Sequence, residues 1–375
     1  MRIAVIGSLE FPGRQGGMTR HIEEVYARIA ARGHDVTVYC RRALEGREYR
    51  GMRVQPVPAI PKSPLDRFSY SATASLRAAA SGADVVHYHS YSNSGWSFVP
   101  HLRRTKVVMT VHRLEWLDEK WGPAGRAILQ TNARIAHRSA DAFIAVSRDF
   151  EEYLHAHVPA GKLVVRIPNG ITMPDEIDDD APAQLGFSPD EYLLAVSRLV
   201  PEKGLDVLLD ALDQVARDGP PLPLPVAVAG QARQPTPFST ALAARADRAP
   251  TPVRLLGVQP ASVVHGLYRG ARALVAPSRR EGNPLTVIEA MAHGLCVVAS
   301  DIPPHRELLG DTGILVPVDD ATALADALRS VAADPVRAHA LGARGRTRIE
   351  QSDEYQWDGV AARTEAVLAD VVAGA

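Results

Sequence analysis

Two short stretches of this 375-residue chain concentrate residue types that handle phosphate and sugar oxygens. In SRLVPEKG (197–204), Arg198 ends an apolar run and Lys203 opens the helical segment that follows. In an α/β fold such a pair projects into the crevice at the carboxyl end of a sheet, where ligands bind. Two cations there suit a diphosphate leaving group, because they stabilise the charge that develops as a bond to phosphate breaks. Lys203 is the only lysine after residue 174 in a chain that otherwise uses arginine. Taken alone, the pair reads equally well as solvated cations at a helix start.

The second stretch is SRREGNPLTVIEAMAHG (278–294). Glu281 lies in the loop before a helix, and Glu289 lies just over a turn inside it. A carboxylate within an apolar helix face is costly unless it is hydrogen-bonded. A ribose diol, with two hydroxyl donors, is a natural partner for Glu289. Glu281 is placed to accept from sugar hydroxyls, while Asn283, Pro284 and Leu285 present backbone groups. A paired-carboxylate glycosidase is the rival reading, but it leaves the Arg/Lys pair unexplained. Near the N-terminus, PGRQGGMTRH (12–21) lacks the spacing of a dinucleotide fingerprint. Gly16 and Gly17 still permit close approach of backbone to a diphosphate, or simply form a turn.

Other clusters point less clearly to chemistry. Asp178-Asp179-Asp180 imitates a metal-binding Asp-x-Asp motif, yet it falls in an acidic, proline-containing segment (171–191) that reads as an exposed linker. His87 and His89 share one strand face but lack a carboxylate or Cys at ligand spacing, so they do not read as a zinc site. No metal is expected. Cys40 and Cys296 sit in apolar runs and read as buried, reduced thiols.

The elements that carry these residues follow a regular pattern. Apolar runs such as IAVIGS (3–8), DVVHYH (84–89), KVVMTVH (106–112), YLLAVSRL (192–199) and ALVAPS (273–278) alternate with helix-length segments. Such alternation signals parallel sheets with crossover helices. The pattern stops near residue 172 and restarts near 191. It predicts an α/β chain of two Rossmann-like, doubly wound domains facing a cleft, with boundaries at 1–172 and 173–355. A helix follows Gly16-Gly17 with apolar residues on one face, and Gly33 suits its stop. Another starts near Pro284 and stops at Gly294.

Composition narrows the function classes. The net charge of −1 argues against nucleic acid as a partner. Residues 1–174 carry 24 Lys+Arg and 15 Asp+Glu, a net of +9, and the remainder carries 18 and 28, a net of −10. That asymmetry points the first half at an anionic surface or acceptor, or the two halves at each other. Arginines 41, 42, 47, 50, 53, 103 and 104 are the candidate basic surface, facing lipid headgroups or water. No apolar run approaches the roughly 18 residues that span a bilayer. The expectation is a cytoplasmic protein, at most peripheral to the membrane's inner face.

In order along nearly the whole chain, GGMTRHIEEVYARIAARGHDVTVY, DVVHYHS, TVHRLEW, AVSRDF, IPNGI, SRLVPEKGLDVLL and EGNPLTVIEAMAHG resemble glycosyltransferase family 4. These are retaining enzymes of the two-domain GT-B fold. The resemblance implies that Arg198 and Lys203 hold the diphosphate of a nucleotide-sugar donor. It implies that Glu289 binds the ribose, that Glu281 contacts the sugar, and that Gly16 and Gly17 line the diphosphate. Gly230 and Val258 complete the nucleotide-contacting set, and His112 sits near the transferring sugar. A lone strand-end His otherwise reads as a structural hydrogen-bonder. The resemblance also implies that no protein nucleophile acts, that the leaving phosphate takes the acceptor's proton, and that residues 356–375 form a helix returning to the first domain.

Three positions depart from the family pattern: Arg113 stands where Gly commonly follows the His, Pro284 replaces a frequent Gly, and Cys296 replaces a frequent Pro. The TVHRLEWLDEKWG segment is similar to a subgroup acting on cell-surface polysaccharides and related glycans, rhamnosyltransferases included. The leading expectation is a hexosyltransferase-type enzyme that moves sugar to a saccharide, lipid-linked or small-molecule acceptor. A sugar-nucleotide 2-epimerase on the same fold and a catalytically silent donor-binding subunit are the alternatives.

Overall fold

The computed structural model describes residues 1–13, 16–60, 65–119, 121–171, 173–174 and 176–374. They form two compact units, Met1–Gly170 with Glu354–Ala375, and Ile171–Asp353.

The first unit contains β1 (Arg2–Ile6), β2 (Glu10–Phe11), β3 (Asp35–Cys40), β4 (Arg42–Ala43), β5 (Glu48–Tyr49), β6 (Met52–Pro56), β7 (Val85–His89), β8 (Lys106–Val111), β9 (Ala142–Ala145) and β10 (Leu163–Arg166). Eight of these make one sheet in the order β10-β9-β8-β7-β1-β3-β6-β5, and β2 pairs separately with β4. Only β5 runs antiparallel to its sheet neighbour, at the edge. Helices α1 (Gly17–Ala31), α2 (Leu65–Ala80), α3 (Pro123–Ser139) and α4 (Arg148–His157) supply crossovers. The spacing of Ile22, Val25, Tyr26 and Ile29 sets one wholly buried stripe along α1.

The second unit holds α5 (Ala181–Gln184), β11 (Leu193–Val196), α6 (Leu205–Asp218), β12 (Val226–Ala229), α7 (Pro237–Ala246), β13 (Val253–Gly257), α8 (Ala261–Gly270), β14 (Ala273–Ala276), α9 (Leu285–Ala292), β15 (Cys296–Ser300), α10 (Pro303–Leu309), β16 (Ile314–Val316), α11 (Ala321–Ala333) and α12 (Pro335–Glu350). Its sheet is wholly parallel, in the order β13-β12-β11-β14-β15-β16. The C-terminal helix α13 (Trp357–Ala373) belongs to the first unit, where Asp358 pairs with Arg28 and Glu365 pairs with Arg32 and His34.

Both sheets reverse their winding direction once, between β1 and β7 in the first unit and between β11 and β14 in the second. Loops leaving the carboxyl ends of those neighbours diverge to opposite faces and open a crevice, the usual ligand position in such sheets. Strands buried on both faces need apolar residues throughout, and β1, β7, β12 and β15 are buried almost end to end. Cys40 and Cys296 are both buried, as free thiols that burial raises to about 12 and about 11.

Several expectations need correction. The 171–191 segment is not a plain exposed linker. Ile171, Ala181 and Phe187 are buried, and the Asp178 N–H donates to the Ser262 carbonyl at 3.2 Å. The acidic run is not merely solvated either, since Asp179 accepts two bonds from Arg269 at 2.8 and 2.9 Å. Part of the basic surface is spent within the unit: Arg41 pairs with Asp66, Arg50 with Glu24 and Arg53 with Asp35. No helix of the described residues is long and apolar enough to cross a membrane.

Gly204 joins a 3-10 turn, Pro201–Lys203, to α6 with φ +65, and a Cβ there would lie 1.9 Å from the Pro277 carbonyl oxygen. Gly204→Ala therefore meets both strain and a backbone clash, and urea unfolding should show a loss of about 2 kcal/mol or more. Gly219→Ala, with open space around an extended backbone, serves as the near-neutral control. Buried His137, hydrogen-bonded through Nε2 to the Tyr91 hydroxyl at 2.9 Å, has its pKa lowered from 6.5 to about 4, first by burial and then by His157 and Arg138. A folded pKa below the unfolded one gives stability that is complete above pH 6.5 and is lost as pH falls towards 4. Melting temperature should fall across that window, and His137→Gln should flatten the slope.

Candidate functional site

The loops at the switch point of the second sheet carry Arg198, Lys203 and Glu281. Strand β11 ends at Val196, and the chain passes Ser197 and Arg198 into the 3-10 turn that ends on Lys203. Lys203 thus closes a turn before α6 rather than opening the helix itself. From the neighbouring β14 the chain passes Pro277 and Ser278 to Glu281. The Lys203 Nζ donates to Glu281 Oε1 at 2.5 Å, and the Ser278 hydroxyl donates to the same oxygen at 2.7 Å. Both charged side chains are largely buried, 19% and 12% exposed. Ser197, Lys203, Pro277, Ser278, Glu281 and Thr286 line a crevice here.

Burial alone raises the pKa of Glu281. The Lys203 ammonium, His305 and the bonds from Lys203 and Ser278 outweigh it and hold the carboxyl below its usual range. Glu281 is therefore a carboxylate, already desolvated and oriented towards Lys203. Arg279 staples the two loops together. Its guanidinium donates to Asp206 at 3.0 and 2.7 Å, to Asp319 at 2.6 Å and to the Pro201 carbonyl at 2.5 Å, while its N–H bonds the Glu202 carbonyl at 2.9 Å. His305 is wholly buried, and Nδ1–H donates to the Ser300 carbonyl at 2.8 Å. Its Nε2 is buried with no hydrogen-bond partner among the described residues. Burial lowers its pKa despite the pull of Glu281.

The remaining candidates lie around the same edge. Arg198 is half-buried and directly follows the crevice residue Ser197. Gly230 follows β12, donates to the Gly257 carbonyl at 2.7 Å, and holds φ +127; a Cβ there would lie 2.0 Å from the Ser197 carbonyl oxygen. Its glycine is thus demanded by packing of adjacent strand ends. Val258, just past β13, is 45% exposed. Pro284 caps α9, Asn283 is buried and Leu285 begins the helix. Glu289, inside α9, is 5% exposed and accepts from the Tyr268 hydroxyl at 3.0 Å, so the cost of its burial is met by a partner on α8.

In the first unit, Gly16 and Gly17 are exposed at the start of α1, with φ +114 and open space at Gly16. His112 follows β8 and is half-buried. Its Nε2 lies 3.0 Å from His89 Nδ1. The Tyr26 hydroxyl sits between His89 Nε2, at 3.3 Å, and His87 Nδ1, donating to one ring and accepting from the other. His87 Nε2 continues to the Thr110 hydroxyl at 2.7 Å. His21, on α1, bonds Asn169 Oδ1 through Nδ1 at 2.9 Å and stands edge-on to His112, with centroids 4.9 Å apart. Burial lowers His21 to about 4 and His87 to about 3, and drives His89 and His112 well below 6.5 with help from neighbouring rings. This is a neutral, hydrogen-bonded imidazole cluster. Arg113, the departure beside His112, forms an ion pair with buried Asp118 and so ties down the following loop.

Sequence reasoning missed His21, Tyr26, Tyr268, Arg279 and His305. A signal existed for His21 and Tyr26, polar groups on the apolar stripe of α1. For His305 and Arg279 the partners lie on other loops, and only the fold shows them.

Residues 15–173 match the family described as Glycosyltransferase Family 4, and residues 190–334 the family described as Glycosyl transferases group 1. The chain is 30% identical to the alpha-maltose-1-phosphate synthase of Mycolicibacterium smegmatis, over 97% of this chain and 98% of that protein. It is 29% identical to the phosphatidyl-myo-inositol mannosyltransferase of Mycobacterium tuberculosis, over 100% and 98%. Among solved structures, sucrose-phosphate synthase of Thermosynechococcus elongatus superposes with a TM-score of 0.82 at 23% identity, over 100% of each chain. The lipopolysaccharide glycosyltransferase WaaG superposes with a TM-score of 0.75 at 17% identity, again over 100% of each chain. At those identities the structures speak for the fold, whereas the family matches and the near full-length relatives speak for descent. The chain belongs to glycosyltransferase family 4 and is a hexosyltransferase-type enzyme of the GT-B fold.

Proposed function

We propose that the chain transfers a sugar from a nucleoside-diphosphate donor to a hydroxyl acceptor, with retention of anomeric configuration and without a metal ion. The observation that carries this reading is the desolvated Lys203–Glu281 pair at the switch point of the second sheet. A donor diphosphate competes with Glu281 for the ammonium of Lys203. Once displaced, Glu281 is available to the hydroxyls of the donor sugar, and Arg198 adds a second cation. Glu289 takes the ribose by sharing or exchanging its bond from Tyr268. Gly230, Val258 and the 283–285 backbone bound the nucleotide and diphosphate.

In this reading the bond from the anomeric carbon to phosphate breaks as the acceptor oxygen bonds to that carbon on the same face. The acceptor's proton passes to the leaving phosphate oxygen, and Lys203 and Arg198 stabilise the charge that accumulates there. His112 holds a sugar hydroxyl through a neutral ring. Structures of HepE of Anabaena, 19% identical, contain UDP and UDP-glucose, which supports a nucleotide-sugar donor. Cell-surface glycans or natural-product glycosides are the proposed acceptors. Exposed Phe98 and Leu102 lie beside exposed Arg103 and Arg104, the mixture that suits peripheral contact with an anionic bilayer surface.

Metal-free thermal shifts with UDP, GDP, ADP and dTDP should single out one nucleotide, and that shift should vanish in Glu289→Ala. With the matching donor, Lys203→Ala should lower turnover about 10²-fold or more; wild-type turnover removes the assignment. Proton NMR of the product should show the donor's anomeric configuration, and a chelator should leave the rate intact. An inverted product or a chelator-sensitive rate overturns the corresponding part of the reading.

A further inference from the structure

We propose that the rings of His21, His89 and His112 form a binding site for a late first-row divalent cation, with Zn2+ the best match to the donors. One ring nitrogen from each residue lies within 4.8 Å of the other two. The three come from α1, the end of β7 and the residue after β8, so they converge on the carboxyl edge of the first sheet beside its switch point.

The surrounding hydrogen bonds select which nitrogens face the ion. His21 Nδ1 is engaged by the Asn169 side-chain oxygen at 2.9 Å, which leaves Nε2. His89 Nε2 is engaged by the Tyr26 hydroxyl at 3.3 Å, which leaves Nδ1. That Nδ1 already points at His112 Nε2, 3.0 Å away. Zinc-ligating histidines characteristically donate their other N–H to a fixed acceptor, which sets tautomer and ring orientation. Here Asn169 and Tyr26 provide such acceptors in advance. Three imidazoles without a carboxylate favour zinc, copper or nickel over magnesium or calcium, which prefer oxygen donors. A three-histidine set also leaves a fourth position for water.

Binding replaces one proton-mediated contact. His89 and His112 share a single N–H between facing nitrogens, and the ion takes that place while the His112 proton relocates to Nδ1. Nitrogens bound to one tetrahedral zinc stand about 3.4 Å apart, so any of the three separations, all within 4.8 Å, that exceeds this must close. His112 is the half-buried ring of the three and bonds only His89 among the described residues, so it is the one able to swing. On the reading of His112 as a sugar-contacting residue, an ion here blocks that contact. Zinc is then an inhibitor of transfer and not its cofactor.

The test uses the full chain, freed of metal by a chelator and then dialysed against Zn2+ or Co2+. One equivalent should remain per chain, and Co2+ should give the intense visible bands of four- or five-coordinate geometry. His21→Gln and His89→Gln should lose that equivalent. Asn169→Ala, which removes the orienting acceptor of His21, should weaken Zn2+ binding roughly 10–100-fold. His265→Gln, from a two-histidine contact in the second unit, should bind as the wild type does. A weak, six-coordinate Co2+ spectrum in the wild-type protein overturns the proposal without any variant, as does unchanged binding in a folded His21→Gln protein. Zn2+ should also slow sugar transfer reversibly. Retention of metal without inhibition would leave the site standing and remove the sugar-contacting role of His112, so the two failures are distinguishable.

Discussion

Lys203 and Glu281 lie 78 residues apart and meet as a largely buried ion pair, and most of the second unit's functional edge is arranged around that contact. Removing one member of a buried pair costs about 3–5 kcal/mol, because an uncompensated charge remains. The intact pair adds little net stability, since desolvation offsets most of the attraction. Such a contact is costly to break by mutation yet easy to exchange for another anion that brings its own charge. The neighbouring structure keeps both groups in place. Gly204 lets the turn before α6 lie against the Pro277 carbonyl, and Arg279 ties the Pro201–Lys203 turn to the loop that carries Glu281.

The architecture was legible in the sequence for a plain physical reason. A strand covered on both faces has nowhere to place a polar side chain, so β1, β7, β12 and β15 announce themselves as unbroken apolar runs. Strands of two residues, such as β2, β4 and β5, carry no such signal. The 171–191 segment misled through composition. Its aspartates and prolines suggested exposure, while Ile171, Ala181 and Phe187 were the residues that mattered for packing.

The candidate site was legible only in part, and the division follows distance along the chain. Arg198 with Lys203, and Glu281 with Glu289, stand close enough in sequence for their spacing to carry meaning. Pairing across loops carries none, which is why Arg279 looked like one more surface arginine and His305 like nothing in particular. His87 and His89 are the sharpest case. Judged as neighbours on a strand they lacked further ligands, but α1 and the residue after β8 bring two more imidazoles to them. A test confined to local spacing could not register rings that arrive from positions 21 and 112.

The two sheets solve the same topological problem with opposite electrostatics. At the β11/β14 switch the crevice holds full charges, and Glu281 remains ionised because the Lys203 ammonium, His305 and the hydrogen bonds from Lys203 and Ser278 together outweigh the effect of burial. At the β1/β7 switch, burial acts on rings with no carboxylate partner, and it keeps His21 and His87 neutral by lowering them to about 4 and about 3. A neutral imidazole donates from one nitrogen and accepts at the other, which suits hydroxyl groups; an ammonium suits phosphate. Division of labour between a polyanionic leaving group and neutral hydroxyls is what sugar transfer from a diphosphate requires. The same neutrality keeps the imidazole lone pairs available, which is what the proposed zinc site draws on.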